Sequence, residues 1–148
     1  MMSHHEKLSA ALAHFTAHCF FGDASLLDNC PKDAGIYLVA IELKHAAALK
    51  RPSAMMLKAG LYVYAGSAHG PGGLKARLSR HLKKEKTLRW HIDQLTTQAS
   101  SLTAFGWLDG TECDLVKLLS NNPDFFHPVP GFGSSDCSDC TSHLLGLK

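Results

Sequence analysis

No run of eighteen or more apolar residues occurs anywhere in the 148-residue chain, so nothing in it reads as a membrane-spanning helix. The first residues, Met1-Met2-Ser3-His4-His5-Glu6-Lys7, lack the apolar stretch and the small-residue cleavage site of a secretory signal. The expectation is a soluble, cytoplasmic protein with no membrane partner. Internal repeats and low-complexity tracts are also missing, which excludes solenoids and disordered arrays. Cysteine is sparse and odd in number, at five, so a disulfide framework is not expected; reduced thiols or metal ligands are. Hydrophobic residues make up 45% of the chain, enough for one core and too little chain for two.

Neither sign of charge dominates, and the net charge is only +2. The distribution is uneven, however. Between Lys75 and His91 lie seven Lys or Arg against the single Glu85, a net +6, which leaves −4 for the rest. Two readings stay open: a face that approaches a polyanion, or a solvated basic helix that aids solubility.

The apolar spacing of Leu8, Ala11, Leu12, Phe15 and Cys19 predicts an amphipathic helix over Glu6 to Phe21, stopped by Gly22. Residues 1–30 are therefore read as an accessory helix and residues 31–148 as the main domain. Gly35 to Leu43 and Leu57 to Ser67 are rich in Ile, Val, Leu and Tyr and read as strands. Paired antiparallel, they would bring Tyr37 and Tyr64 near one another on one face. The loop His69-Gly70-Pro71-Gly72-Gly73 can start a helix in which Leu74, Leu78 and Leu82 form a buried stripe. Arg77 and His81, four apart, share another side of that helix. Leu102 to Leu108 reads as a third strand and Glu112 to Leu119 as a helix, with Pro- and Gly-rich coil after it.

Gly35-Ile36-Tyr37, Tyr64-Ala65-Gly66, the Arg77/His81 pair and the later Glu112 together resemble the GIY-YIG nuclease superfamily. More narrowly, Gly66 to Leu74, Arg80-His81, Trp90-His91-Ile92-Asp93, Glu112-Cys113 and Gly131-Phe132-Gly133-Ser134-Ser135-Asp136-Cys137 resemble a prokaryotic branch classed as a domain of unknown function. The resemblance implies a small α/β (α+β) domain with a central three-stranded antiparallel sheet flanked by helices. It also implies metal-dependent endonuclease action on nucleic acid, with DNA the expected form. Carried over, Tyr37 and Tyr64 lie at the active centre, one of them deprotonating or orienting the attacking water, Arg77 holds the scissile phosphate, His81 assists, and Glu112 ligates Mg²⁺ or Mn²⁺. A non-cleaving nucleic-acid-binding module on the same fold is the alternative.

The chemistry is consistent with those roles. A tyrosine has a pKa of about 10, so it serves as a base near neutrality only beside a cation. Arg77 offers a planar fork to phosphate oxygens, and Glu112 offers the hard oxygen that Mg²⁺ prefers. Lys75, Arg80, Lys83, Lys84, Lys86 and Arg89 are candidate nucleic-acid contacts. His91 and Asp93 either form a second polar site or, the preferred reading, hydrogen-bond to one another and tie the basic segment to the sheet. Trp90 is read as core. Cys137, Cys140 and His143, with Cys113 from the helix start, are either zinc ligands, reduced cysteines pinning the tail, or a redox-sensitive pair.

Overall fold

Gly35–Leu43 (β2) is buried along nearly its whole length, which places it inside a sheet covered on both faces. The computed structural model describes residues 2–133 and 140–148. Around β2 the chain runs through α1 (His4–Leu12), β1 (Phe20–Gly22), a 3₁₀ turn (Ala24–Asn29), β2, β3 (Ala47–Leu49), β4 (Met55–Leu57) and β5 (Gly60–Ala68). It continues with α2 (Gly73–His81), α3 (Asp93–Thr96), β6 (Ser101–Trp107), α4 (Glu112–Ser120), β7 (Phe125–Phe126) and β8 (Leu144–Leu147).

The main sheet has six strands in the order β1-β6-β2-β5-β8-β7, and its pairings are antiparallel. The α+β class expected from the sequence is present, but the sheet is twice the expected width. The expected three strands form its centre. β1, β7 and β8 are two to four residues long, too short to carry an alternating pattern, and pairing with neighbours defines them. β3 and β4 make a separate two-stranded ribbon.

The two faces of the sheet bury different partners. Tyr37, Val39 and Ile41 of β2 point toward Leu74 and Leu78 of α2 and Ile92 and Leu95 near α3. Ile36, Leu38 and Ala40 point the other way, toward Leu8 and Leu12 of α1 and Leu115 and Leu119 of α4. Each fully buried leucine contributes about 1.5–3 kcal/mol by leaving water.

The N-terminal helix is shorter than its periodicity suggests. It opens with a reciprocal cap, in which the Glu6 amide donates to Ser3 Oγ and the Ser3 amide to Glu6 Oε1, both at 3.1 Å. It ends at Leu12 because tertiary contacts claim the following residues. The Trp107 indole N–H donates to the Thr16 carbonyl at 2.8 Å, Phe15 packs edge-on against Trp107, and the Cys19 amide donates to Gly106 O. Phe20–Gly22 then pairs with β6 instead of continuing the helix. Among the described residues, no helix is long and apolar enough to cross a membrane.

Candidate functional site

Register brings the two tyrosines together. Tyr37 lies opposite Gly66, and Val39 opposite Tyr64, so the phenols occupy one face at diagonal positions. A Cβ at Gly66 would overlap the Tyr37 phenol, which is why the second motif needs a glycine at that position. Gly133 has the same relation to Tyr64, since its own Cβ would stand 2.8 Å from the Tyr64 hydroxyl, and its φ of +68° favours glycine anyway.

Helix α2 supplies the other half. Leu74, Leu78 and Leu82 anchor it as the spacing predicts, and Arg77 and His81 face the tyrosines. His81 is fully buried, with Nε2 2.8 Å from the Tyr37 hydroxyl and Nδ1 without a hydrogen-bond partner. Burial, reinforced by the Lys86 charge, pulls its pKa down to about 3, so the ring is neutral at pH 7. Burial also drives Tyr37 well above the ordinary phenol value, aided by Tyr64 and opposed by Arg77. Tyr64, less buried, is pushed up to about 12 by burial and then by the Glu112 charge.

These four side chains line a cavity of about 330 Å³, closed by Arg89, Trp90, His91 and Gly133. Among the described residues, none of those lining it is acidic. A neighbouring cavity of about 320 Å³ shares Arg89, Trp90 and His91 and adds Lys50 and Arg51. A hollow lined by cations in this way suits a phosphate group.

Trp90 is 39% exposed, not core as expected. Two guanidinium groups lie over its ring, Arg77 at 4.9 Å and Arg80 at 4.7 Å from the ring centre. The expected His91–Asp93 hydrogen bond does not form, and the two side chains take other partners. Asp93 is fully buried, and its Oδ2 accepts from Arg80 at 2.6 Å, the Arg89 amide at 2.9 Å and the Trp90 amide at 3.0 Å. His91 Nδ1 accepts from the Gly133 amide at 3.2 Å. Ile92 is already helical and Asp93 opens α3, so the local backbone turns the two side chains apart.

The basic residues divide by position. Arg80 and Lys86 are committed to Asp93, with Lys86 also donating to the Arg80 and His81 carbonyls at 2.9 Å. Lys75 stands 3.7 Å from Asp28, Lys83 and Lys84 are exposed beyond α2, and Arg89 lines the cavity.

Glu112 stands apart from this hollow. It is the first residue of α4, which Thr111 caps by accepting from the Asp114 amide at 3.1 Å. Its Oε1 accepts from Ser67 Oγ at 3.3 Å and its Oε2 lies 3.6 Å from His143 Nδ1, so it is near enough to raise both tyrosines' pKa without lining the cavity. The following residue, Cys113, meets Cys140 and His143, with one ligand atom of each within 4.8 Å of the others. This is a group able to hold a metal ion. Cys137, the remaining candidate ligand, lies outside the described residues.

Sequence reasoning missed the walls contributed by His91 and Gly133 and the exposure of Trp90. The signal was present in the Trp-His and Gly-Phe-Gly motifs, but nothing local told a wall from a core position.

A family model described as domain of unknown function DUF123 matches residues 36–148. No curated protein and no solved structure matches the chain. The family match spans most of the chain, and the chain belongs to that family.

Proposed function

We propose that this chain is a GIY-YIG-type endonuclease that hydrolyses phosphodiester bonds in nucleic acid, with DNA as the expected substrate. The observation that carries the reading is the convergence of Tyr37, Tyr64, Arg77 and His81 on one cavity. Arg77, braced by the Trp90 ring, presents its fork to the scissile phosphate and offsets the charge that builds in the transition state. With the neutral His81 ring taking the Tyr37 O–H at Nε2, the phenol oxygen keeps its lone pairs for Arg77 and the cavity. Tyr37 in that state orients the attacking water. Tyr64, protonated at neutral pH, donates to a phosphate oxygen.

Glu112 would hold the divalent ion. Its side chain is 29% exposed, and its negative charge raises the pKa of both tyrosines, a field that a cation at that carboxylate reverses. Mg²⁺ or Mn²⁺, when bound, supplies positive charge to the phosphate and the reacting oxygens. Lys83, Lys84 and Arg89 meet the backbone of the same nucleic acid.

One observation favours a second reading, a binding module that does not cut: Glu112 is not among the residues that line the cavity. A cleavage screen on labelled linear, nicked, flapped and branched DNA with Mg²⁺ or Mn²⁺ separates the two. Cutting that falls about 10²–10³-fold in Arg77→Ala, and is lost in Glu112→Ala, supports the nuclease. Salt-sensitive binding that needs Arg77, without cutting on any substrate, supports the module. Unchanged cutting in both variants refutes the site.

A further inference from the structure

We propose that Cys113, Cys140 and His143 form a zinc site, separate from the tyrosine cavity, that fastens the C-terminal strand to the start of α4. The three residues come from distant parts of the chain, Cys113 from the first turn of α4 and the other two from the approach to β8. Even so, their ligand atoms converge to within 4.8 Å. A tetrahedral ion with Zn–S of about 2.3 Å and Zn–N of about 2.0–2.1 Å sets its ligand atoms roughly 3.5–3.8 Å apart. The gap to be closed is about 1 Å, within reach of small side-chain rotations.

His143 provides the second, independent observation. It is only 5% exposed, yet among the described residues its Nε2 has no hydrogen-bond partner, a costly state for a buried imidazole nitrogen. Its Nδ1 faces the Glu112 carboxylate at 3.6 Å. A ligating histidine commonly turns its second nitrogen toward a carboxylate in this way. Its position is fixed from behind as well, because the Ala65 amide donates to the His143 carbonyl at 3.0 Å and the His143 amide to Phe132 O at 2.9 Å.

The donor set selects the metal. Two thiolates and an imidazole suit zinc, whereas the Mg²⁺ or Mn²⁺ expected at Glu112 prefers oxygen. Glu112 adjoins Cys113 in sequence and His143 in space, so ligation would also immobilise the carboxylate's surroundings.

The test uses the full chain, free of any affinity tag and purified under reducing conditions without chelator. Metal analysis is expected to find about one zinc per chain, in line with a single three-ligand site. In Cys113→Ser/Cys140→Ser the zinc is lost, while Cys19→Ser, at an exposed cysteine, retains it. Removing zinc from the wild type lowers Tm by roughly 10 °C. The double variant could lose zinc merely by failing to fold, so Co²⁺ is added to zinc-depleted wild type. A thiolate-to-cobalt charge-transfer band with intense tetrahedral d–d absorption is the expected signature. Three results each overturn the site: zinc unchanged in the double variant, no zinc in the wild type together with no cobalt–thiolate band, or a quantitative Cys113–Cys140 disulfide in place of metal. None of these readouts depends on cleavage, so the zinc site and the nuclease reading stand or fall separately.

Discussion

Asn in place of Asp93 tests the network behind the candidate phosphate site. Asp93 is fully buried, and its one oxygen Oδ2 accepts from Arg80 and from two backbone amides, while Lys86 stands 3.9 Å from Oδ1. Asp93→Asn keeps the shape and one acceptor but removes the charge, which leaves Arg80 and Lys86 without their counter-ion. Breaking a buried pair by neutralising one partner costs about 3–5 kcal/mol. Arg80 retains 26% exposure and can turn toward water, and the amides keep an acceptor, so roughly 2–4 kcal/mol is the expected loss. For a chain of this size that lowers Tm by roughly 5–15 °C. The pH dependence is a sharper check. Burial pushes the Asp93 carboxyl up, but the Trp90 and Arg89 amides, then Arg80 and Lys86, outweigh it and leave the pKa below the ordinary value. The unfolded chain therefore binds this proton more readily. The advantage of wild type over Asp93→Asn is fully present above the unfolded pKa of about 3.9 and disappears as pH falls through the lower folded value. Urea titrations of both proteins between pH 2.5 and 8 measure it. A difference below about 0.5 kcal/mol at pH 7, the range of ordinary surface changes, or one that grows in acid, refutes the reasoning.

Gly66→Ala is expected to destabilise by about 1–3 kcal/mol through overlap with the Tyr37 phenol; paired with Tyr37→Phe, whose ring keeps the clash, it should show little relief, whereas Tyr37→Ala should recover much of the loss in a denaturant series. Trp90→Ala should lower stability by about 1–2 kcal/mol, the worth of two cation–π contacts, and Trp90→Phe by less; equal stability of all three proteins in a denaturant series removes the bracing role from Trp90. His81 should stay neutral across pH 5–8 in an NMR titration. Because its folded pKa lies below the unfolded value, the wild type should lose stability, relative to His81→Gln, as pH falls from about 6.5 toward 3.

The sequence made the central strands and α2 legible because both have long, regular patterns. β2 and β5 are nine residues each, and the Leu74, Leu78, Leu82 stripe fixes α2, so the nearness of Tyr37 to Tyr64 followed from the register and the shared side of Arg77 and His81 from the helix period, while the meeting of the two pairs was what the resemblance implied. What stayed hidden depends on single distant contacts. Trp107 takes the Thr16 carbonyl and ends α1 early. Asp93 takes Arg80 rather than His91 because a guanidinium offers a charged hydrogen bond and the helical turn at Ile92 carries the imidazole away. The commitment of Arg80 and Lys86 to Asp93 was equally invisible, since a basic run looks the same whether it faces water or a buried carboxylate.

The second tyrosine motif has meaning on both faces of the sheet. Along β5, Tyr64 and Gly66 turn toward α2, while Ala65 and Ser67 turn toward α4. The first pair receives the Tyr37 phenol and lines the cavity. The second pair meets the elements that carry Glu112 and His143, through the Ser67 hydroxyl and the Ala65 amide. Because side chains alternate along a strand, slipping the β2–β5 register by one residue would exchange these roles completely. Tyr64 would leave the cavity and Ser67 would lose Glu112 together. The glycine opposite Tyr37 admits the phenol in one register only, so Gly66 secures the alignment on which both sites depend.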